Sequence, residues 1–265
     1  MPGKFKIALA FCLMASHCQS SFGWGEEGHK VVALIAQKQL TPEARANIDQ
    51  IMQRSANGEI ADVASWADLM RGNSAVPQIS HVVKIPFNAR SYSERRDCSG
   101  KYRCVIAGIY DAETELQKYM RTKRITTETQ YALKFLIHYV GDVHQPLHAI
   151  QETGNMRTLP SRQRWKLHKV WDTIIIRSMH QSPESMARRL LNKRQSVEQS
   201  TPEDWAMESH DIAKRVIYGG SYALAKTKHP IRLGDDYYKA NSPIVDERLL
   251  TAGTRLGRLL NSIFK

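Results

Sequence analysis

The chain has 265 residues, 42% of them hydrophobic, enough for one sizeable core and one domain. Beyond the N-terminal segment there is no run of about eighteen apolar residues, so no transmembrane helix is expected. The formal net charge of +12 suits a polyanionic partner, but no continuous polybasic block concentrates it, and charge alone selects no function.

The first 23 residues, "MPGKFKIALAFCLMASHCQSSFG", place Lys4 and Lys6 before the apolar run Ile7 to Ala15, then Ser21 and Gly23 at small-residue positions. That order is the signature of a secretory signal peptide, with Trp24 as the first mature residue and a secreted or periplasmic destination. Without Lys4 and Lys6 the mature chain has 36 basic and 26 acidic residues, a net charge of +10. Export also discards Cys12 and Cys18, which leaves Cys98 and Cys104 in the polar loop "RDCSGKYRC". In an oxidising compartment that pair points to a disulfide, and two cysteines are too few for a cysteine-rich zinc site.

Helix signals dominate the rest. "TPEARANIDQIM" opens with Thr41 as N-cap and Pro42 at the first helical position, and the stretches at 182 and 201 repeat the pattern. "TTETQYALKFLIHYVGDVH" has apolar residues at 132, 133, 136, 137, 140 and 143, a helical period. The tail "VDERLLTAGTRLGRLLNSIF" lines up 245, 249, 252, 256, 259 and 263. A long irregular loop is expected around 71 to 103, and no hairpin signal argues for a sheet. The expected fold is all-α and single-domain.

Chemistry concentrates in "HYVGDVHQPLH", residues 138–148. His138 and Asp142 stand four apart and share a helix face, and Pro146 then ends the helix so that His148 can turn back. His168 and Asp172 repeat the four-residue spacing in "LHKVWDT". One such pair is ordinarily a surface ion pair or a cap. Two pairs embedded in apolar sequence call for a cation, and imidazole with carboxylate is what zinc takes when thiolates are absent. His144 points elsewhere on the helix and reads as structural. "WGEEGH" adds Trp24 and His29, "ASWADLMRG" adds Asp68 with Arg71 three residues on, and "ISHVVKIP" adds His81. Singly, His81 could be a core histidine and Arg71 a surface charge. Together they supply five histidines, three aspartates and a terminal amine, too many ligands for one zinc.

The segments "WGEEGH", "ASWAD", "HYVGDVHQPLH", "GN" at 154–155 and "LHKVWDT" resemble, in this order, the motifs of the S1/P1 nuclease family. These are exported zinc-dependent class I nucleases with 3′-nucleotidase activity, related to the bacterial trinuclear-zinc phospholipases C. The resemblance spans residues 24 to 172 and implies that helical fold for 24–265, with three Zn2+. It implies one zinc on Asp68, His81, His138 and Asp142, and a second on His148, His168 and Asp172. A third would take the α-amino nitrogen and carbonyl oxygen of Trp24, with His29 and Asp142. The implied reaction is hydrolysis of single-stranded DNA and RNA to 5′-phosphorylated products and of 3′-nucleotides, by a monomer. Asp68 would orient the attacking water as well as bind zinc. Arg71 would grip the scissile phosphate, and Lys84 and Asn155 would contact substrate.

The family often has an aromatic residue directly after the His81 equivalent and Asn or Asp two positions further. Here those positions hold Val82 and Lys84, which implies weaker base stacking and attraction of phosphate. Arg157, Arg162, Arg164 and Lys166 could line a nucleic-acid path, or simply a solvated loop. The competing reading is a phospholipase C with the same metal core, although those enzymes usually carry Glu where Asp172 stands. A purely zinc-binding or adhesive protein would have no need of Arg71.

Overall fold

A computed structural model describes residues 24–53, 59–151, 157–158, 165–193, 196–198, 200–219 and 233–265, with backbone alone at 157, 158 and 165. The segment 1–23, Asn155, Arg162 and Arg164 lie outside the described residues. The elements are α1 (Glu26–Gln37), α2 (Pro42–Met52), α3 (Trp66–Leu69), α4 (Glu94–Asp97), α5 (Val105–Thr122) and α6 (Thr127–Val143). They continue with α7 (Leu167–Lys169), α8 (Ile175–Ser178), α9 (Pro183–Leu191), α10 (Pro202–Ile212) and α11 (Asp235–Ile263). The fold is all-α, as expected. Its one strand pair among the described residues, β1 (Arg157–Thr158) with β2 (Trp165–Lys166), is two residues long and antiparallel.

The helix starts follow the capping residues. Thr41 accepts from the Ala44 amide ahead of α2, and Ser182 from the Ser185 amide ahead of α9. Thr126 with Thr129, and Thr201 with Asp204, form reciprocal capping boxes ahead of α6 and α10. Two features depart from the sequence reading. The stretch 71–103 is not wholly irregular, since it contains α4. The tail helix begins at Asp235, ten residues before Val245, and runs through Pro243. Proline removes the amide that would have bonded to the Lys239 carbonyl, and the Ser242 hydroxyl donates to that carbonyl instead at 3.2 Å.

Helix α6 is the centre of the molecule. Every residue from Phe135 to Val143 is buried, because α5, α1, α11, α2 and α10 pack around it. A helix covered on all sides must be apolar all round or have its polar groups paired, which makes His138 and Asp142 conspicuous. Helix α1 lies between α11, α9 and α6. It approaches α11 so closely that a Cβ on Gly253 would stand 2.5 Å from Ile35. Among the described residues no helix is long and apolar enough to cross a membrane.

Candidate metal centre

Five stretches of chain deliver the predicted residues to one buried place. Helix α6 contributes His138 and Asp142 one turn apart, and the tight turn Pro146–His148 brings His148 back over its end. The extended segment 80–85 is strapped alongside: the Val83 amide donates to the His148 carbonyl at 2.8 Å, and the Gln151 amide to the Ile85 carbonyl at 2.8 Å. That presents His81. Helix α3 presents Asp68, with Arg71 just beyond its end. After β2 the chain enters α7 and a widened π-type turn over Val170–Ile174, which carries His168 and Asp172. Such turns are frequent at functional sites. The Gly25 amide donates to the Asp172 carbonyl at 2.7 Å, so the segment ahead of α1 is fastened to the same turn.

The first cluster has the dimensions of a tetrahedral site. His81 Nδ1, His138 Nε2 and Asp142 Oδ2 lie 3.1 Å from one another. Asp68 Oδ1 is 3.4 Å from His81 Nδ1 and 3.6 Å from His138 Nε2. Ligand atoms arranged tetrahedrally at ordinary zinc distances stand about 3.4 Å apart. The second cluster is looser, with His148 Nε2 and His168 Nε2 at 3.9 and 3.8 Å from Asp172 Oδ1. Beside the first, His29 stacks on His138 with ring centres 3.8 Å apart and points Nε2 at Asp142 Oδ1, 3.5 Å away. Asp142 thus faces His81 and His138 with one oxygen and His29 with the other. Trp24 is completely buried.

Hydrogen bonds fix which ring nitrogens face inward. His138 Nδ1 donates to the Ala64 carbonyl at 2.7 Å, and His148 Nδ1 to the His81 carbonyl at 2.9 Å, leaving each Nε2 toward the site. Both nitrogens of His29, both oxygens of Asp142, His148 Nε2 and Asp172 Oδ2 are buried without a hydrogen-bond partner among the described residues. Each such atom costs on the order of 1–3 kcal/mol, and a set this concentrated fits bound cations.

The charge states of three of the histidines agree, while the carboxylates around His138 favour its protonated form. Burial pushes His29 and His81 below the usual histidine value, and His148 down to about 3 against the pull of Asp142. Neutral imidazole is the form that binds metal. Burial alone would lower His138, but Asp142 and Asp68 outweigh it and push it up to about 10. Burial also works against the Asp142 carboxylate, yet His138 holds it well below the carboxylate range. Asp172 is pushed well above that range by burial, with His168 only partly offsetting it. A carboxylate in that position calls for a neighbouring cation.

Arg71 Nη2 donates to Asp68 Oδ1 at 3.0 Å from the rim, with its side chain about two-thirds buried. Lys84 is exposed and Val82 half-buried on the segment that carries His81. His144 is outside the cluster: its Nδ1 donates to the Val140 carbonyl at 2.7 Å, and its Nε2 accepts from Arg255 at 3.0 Å. Burial, then Arg248 and Arg255, push its pKa well below the usual value. Cys98 and Cys104 form a disulfide that ends at the start of α5.

Two residues escaped sequence reasoning. Gly141 makes room for His29, since a Cβ there would stand 2.8 Å from its Nδ1. Gln145 is fully buried and its side-chain amide donates to Asp172 Oδ1. An uncharged amide in an apolar stretch was the only signal for Gln145, and the sequence offered none for Gly141.

Residues 24–265 match the family model described as S1/P1 Nuclease. Endonuclease 4 of Arabidopsis thaliana is 31% identical, over 91% of this chain and 89% of that protein. Nuclease P1 of Penicillium citrinum is 27% identical, over 91% and 97%, and Nuclease S1 of Aspergillus oryzae 25%, over 99% and 98%. The chain belongs to the S1/P1 nuclease family, and with it to the hydrolases that act on phosphodiester bonds.

Proposed function

We propose that the mature chain, beginning at Trp24, is an exported three-zinc nuclease. It cleaves single-stranded DNA and RNA to 5′-phosphorylated products and removes the phosphate from 3′-nucleotides. The observation that carries the reading is the convergence of eight side chains in three groups of metal-ligating atoms: His29, His138 and Asp142; Asp68, His81 and, again, His138; and, apart from these, His148, His168 and Asp172. Asp68, His81, His138 and Asp142 hold one zinc, and His148, His168 and Asp172 a second. His29, Asp142 and the Trp24 amine and carbonyl hold the third. The start of the family match at Trp24 supports that terminus, as does the charged, apolar and small-residue order of residues 1–23.

Bound in these clusters, zinc supplies Lewis acidity that makes water a nucleophile near neutral pH and neutralises charge on phosphate. The protein does the rest. Asp68 accepts from Arg71 and holds its guanidinium at the rim, where the planar fork matches two phosphate oxygens. An aspartate oxygen beside the reacting phosphorus also orients the attacking water and takes part in its proton movement. Exposed Lys84 draws the polyanion towards the rim. Val82 offers no ring to stack on, so stacking of a base beside His81 is weaker.

A parallel assay tests the reading: the chain starting at Trp24 is given single-stranded DNA, RNA, a 3′-mononucleotide and phosphatidylcholine. Both polymers and the mononucleotide are expected to be hydrolysed, with 5′-phosphate ends on the oligonucleotides. Hydrolysis of the lipid without nucleic-acid cleavage would overturn the proposal in favour of a phospholipase C.

A further inference from the structure

We propose that Gln145 is a positioning residue for the cluster of His148, His168 and Asp172. The inference rests on the zinc reading of that cluster and adds a residue to its machinery. Gln145 is fully buried and uses every polar group it has. Its side-chain amide donates to Asp172 Oδ1 at 2.5 Å, and its side-chain carbonyl accepts from the Leu147 amide at 2.5 Å. Its backbone carbonyl accepts from the His148 amide at 2.9 Å, and its own amide donates to the Asp142 carbonyl at 3.0 Å. One residue therefore ties together the turn that presents His148, the helix end that presents Asp142 and the carboxylate of Asp172.

The chemistry of the side chain suits the task. Asp172 needs its carboxylate aimed and one oxygen left available, and Oδ2 is the oxygen left without a hydrogen-bond partner. A neutral amide donor aims the group without cancelling the charge that attracts a metal. A lysine would compete with the cation, and a glutamate would set one carboxylate against another. Asparagine, one methylene shorter, carries the same amide group but holds it closer to its own backbone, away from Asp172. Partners of this kind typically change metal affinity by about 10–100-fold when removed.

The test uses the full mature chain and reads zinc directly. Zinc bound at graded free-zinc concentrations is measured for wild type, Q145M, H168A, D172A and the double variant Q145M/D172A. Methionine keeps the volume and removes both amide functions, and melting of each metal-free variant checks the fold. The expected result is that Q145M weakens one zinc about 10–100-fold, leaves the others at wild-type affinity, and adds nothing once Asp172 is gone. Wild-type affinity for every zinc in Q145M would overturn the inference, as would equal weakening of all sites or an unchanged Q145M effect in the D172A background. If H168A also loses no zinc, the metal reading of the cluster fails with it. If H168A loses one and Q145M none, only the role of Gln145 fails.

Discussion

On the proposed reading, Arg71 is the residue on which metal binding and catalysis separate. It touches Asp68 but offers no ligand atom, so that reading gives its guanidinium the phosphate and not the zinc. R71A is expected to lower kcat/KM on single-stranded DNA by about 100-fold, the usual cost of losing one transition-state donor, and R71K by about 10-fold, because lysine restores charge without the bidentate fork. Zinc content should remain that of wild type in both. Unchanged kinetics in R71A would remove Arg71 from the site. The histidines show how much was legible at this scale. Helical spacing separated His144 from His138 and Asp142, and the structure puts His144 with Arg255 instead. Gln145 and Gly141 were not legible, because one acts through a neutral amide and the other through the absence of a side chain.

Among the elements, α10 and α11 brace the end of α6. Arg255 donates to both oxygens of Glu208 at 2.6 and 2.7 Å, and Arg248 donates to Glu208 at 3.0 Å and to the His144 carbonyl at 3.1 Å. Ser209 closes the frame by donating to the Val143 carbonyl at 2.6 Å. Burial pushes the Glu208 carboxyl up, but Arg255 and Arg248 more than reverse this and hold its pKa below the usual value. A depressed folded pKa contributes stability that is complete above the unfolded value, about 4.3 for glutamate, and is lost as pH falls through the folded value. E208Q should therefore melt about 3 °C below wild type at pH 7, a contribution of about 1 kcal/mol after allowing for the partly exposed carboxylate. The gap should close as pH falls through the depressed folded value of Glu208, where the wild-type carboxylate is itself protonated. A gap independent of pH would mean that shape, not charge, holds the brace. Helix starts were legible because caps are local, as at Thr41, Thr126, Ser182 and Thr201. The ten extra residues of α11 were not, because Pro243 reads as a stop until the Ser242 hydroxyl is seen on the Lys239 carbonyl. Nor was the widened turn around Asp172, which has no sequence signature of its own.

At the scale of the whole molecule, the site exists only because distant stretches of chain meet around α6. The sequence motifs named the side chains, but their spacing could not show that Asp142 faces His29 on one side and His81 with His138 on the other. Trp24 lies completely buried at the head of α1. If its α-amine is a ligand, the metal centre is finished only by signal-peptide removal, and the amine must be free. Native mass spectrometry of the zinc-loaded chain beginning at Trp24, beside the same chain extended by Gly23, tests this directly. Three zinc ions are expected on the first form. On the extended form two should be firmly held and the third lost at low free zinc, with nuclease activity falling in step. One zinc or none on the Trp24 form, or three equally firm zincs with full activity on the extended form, would contradict that role for the amine.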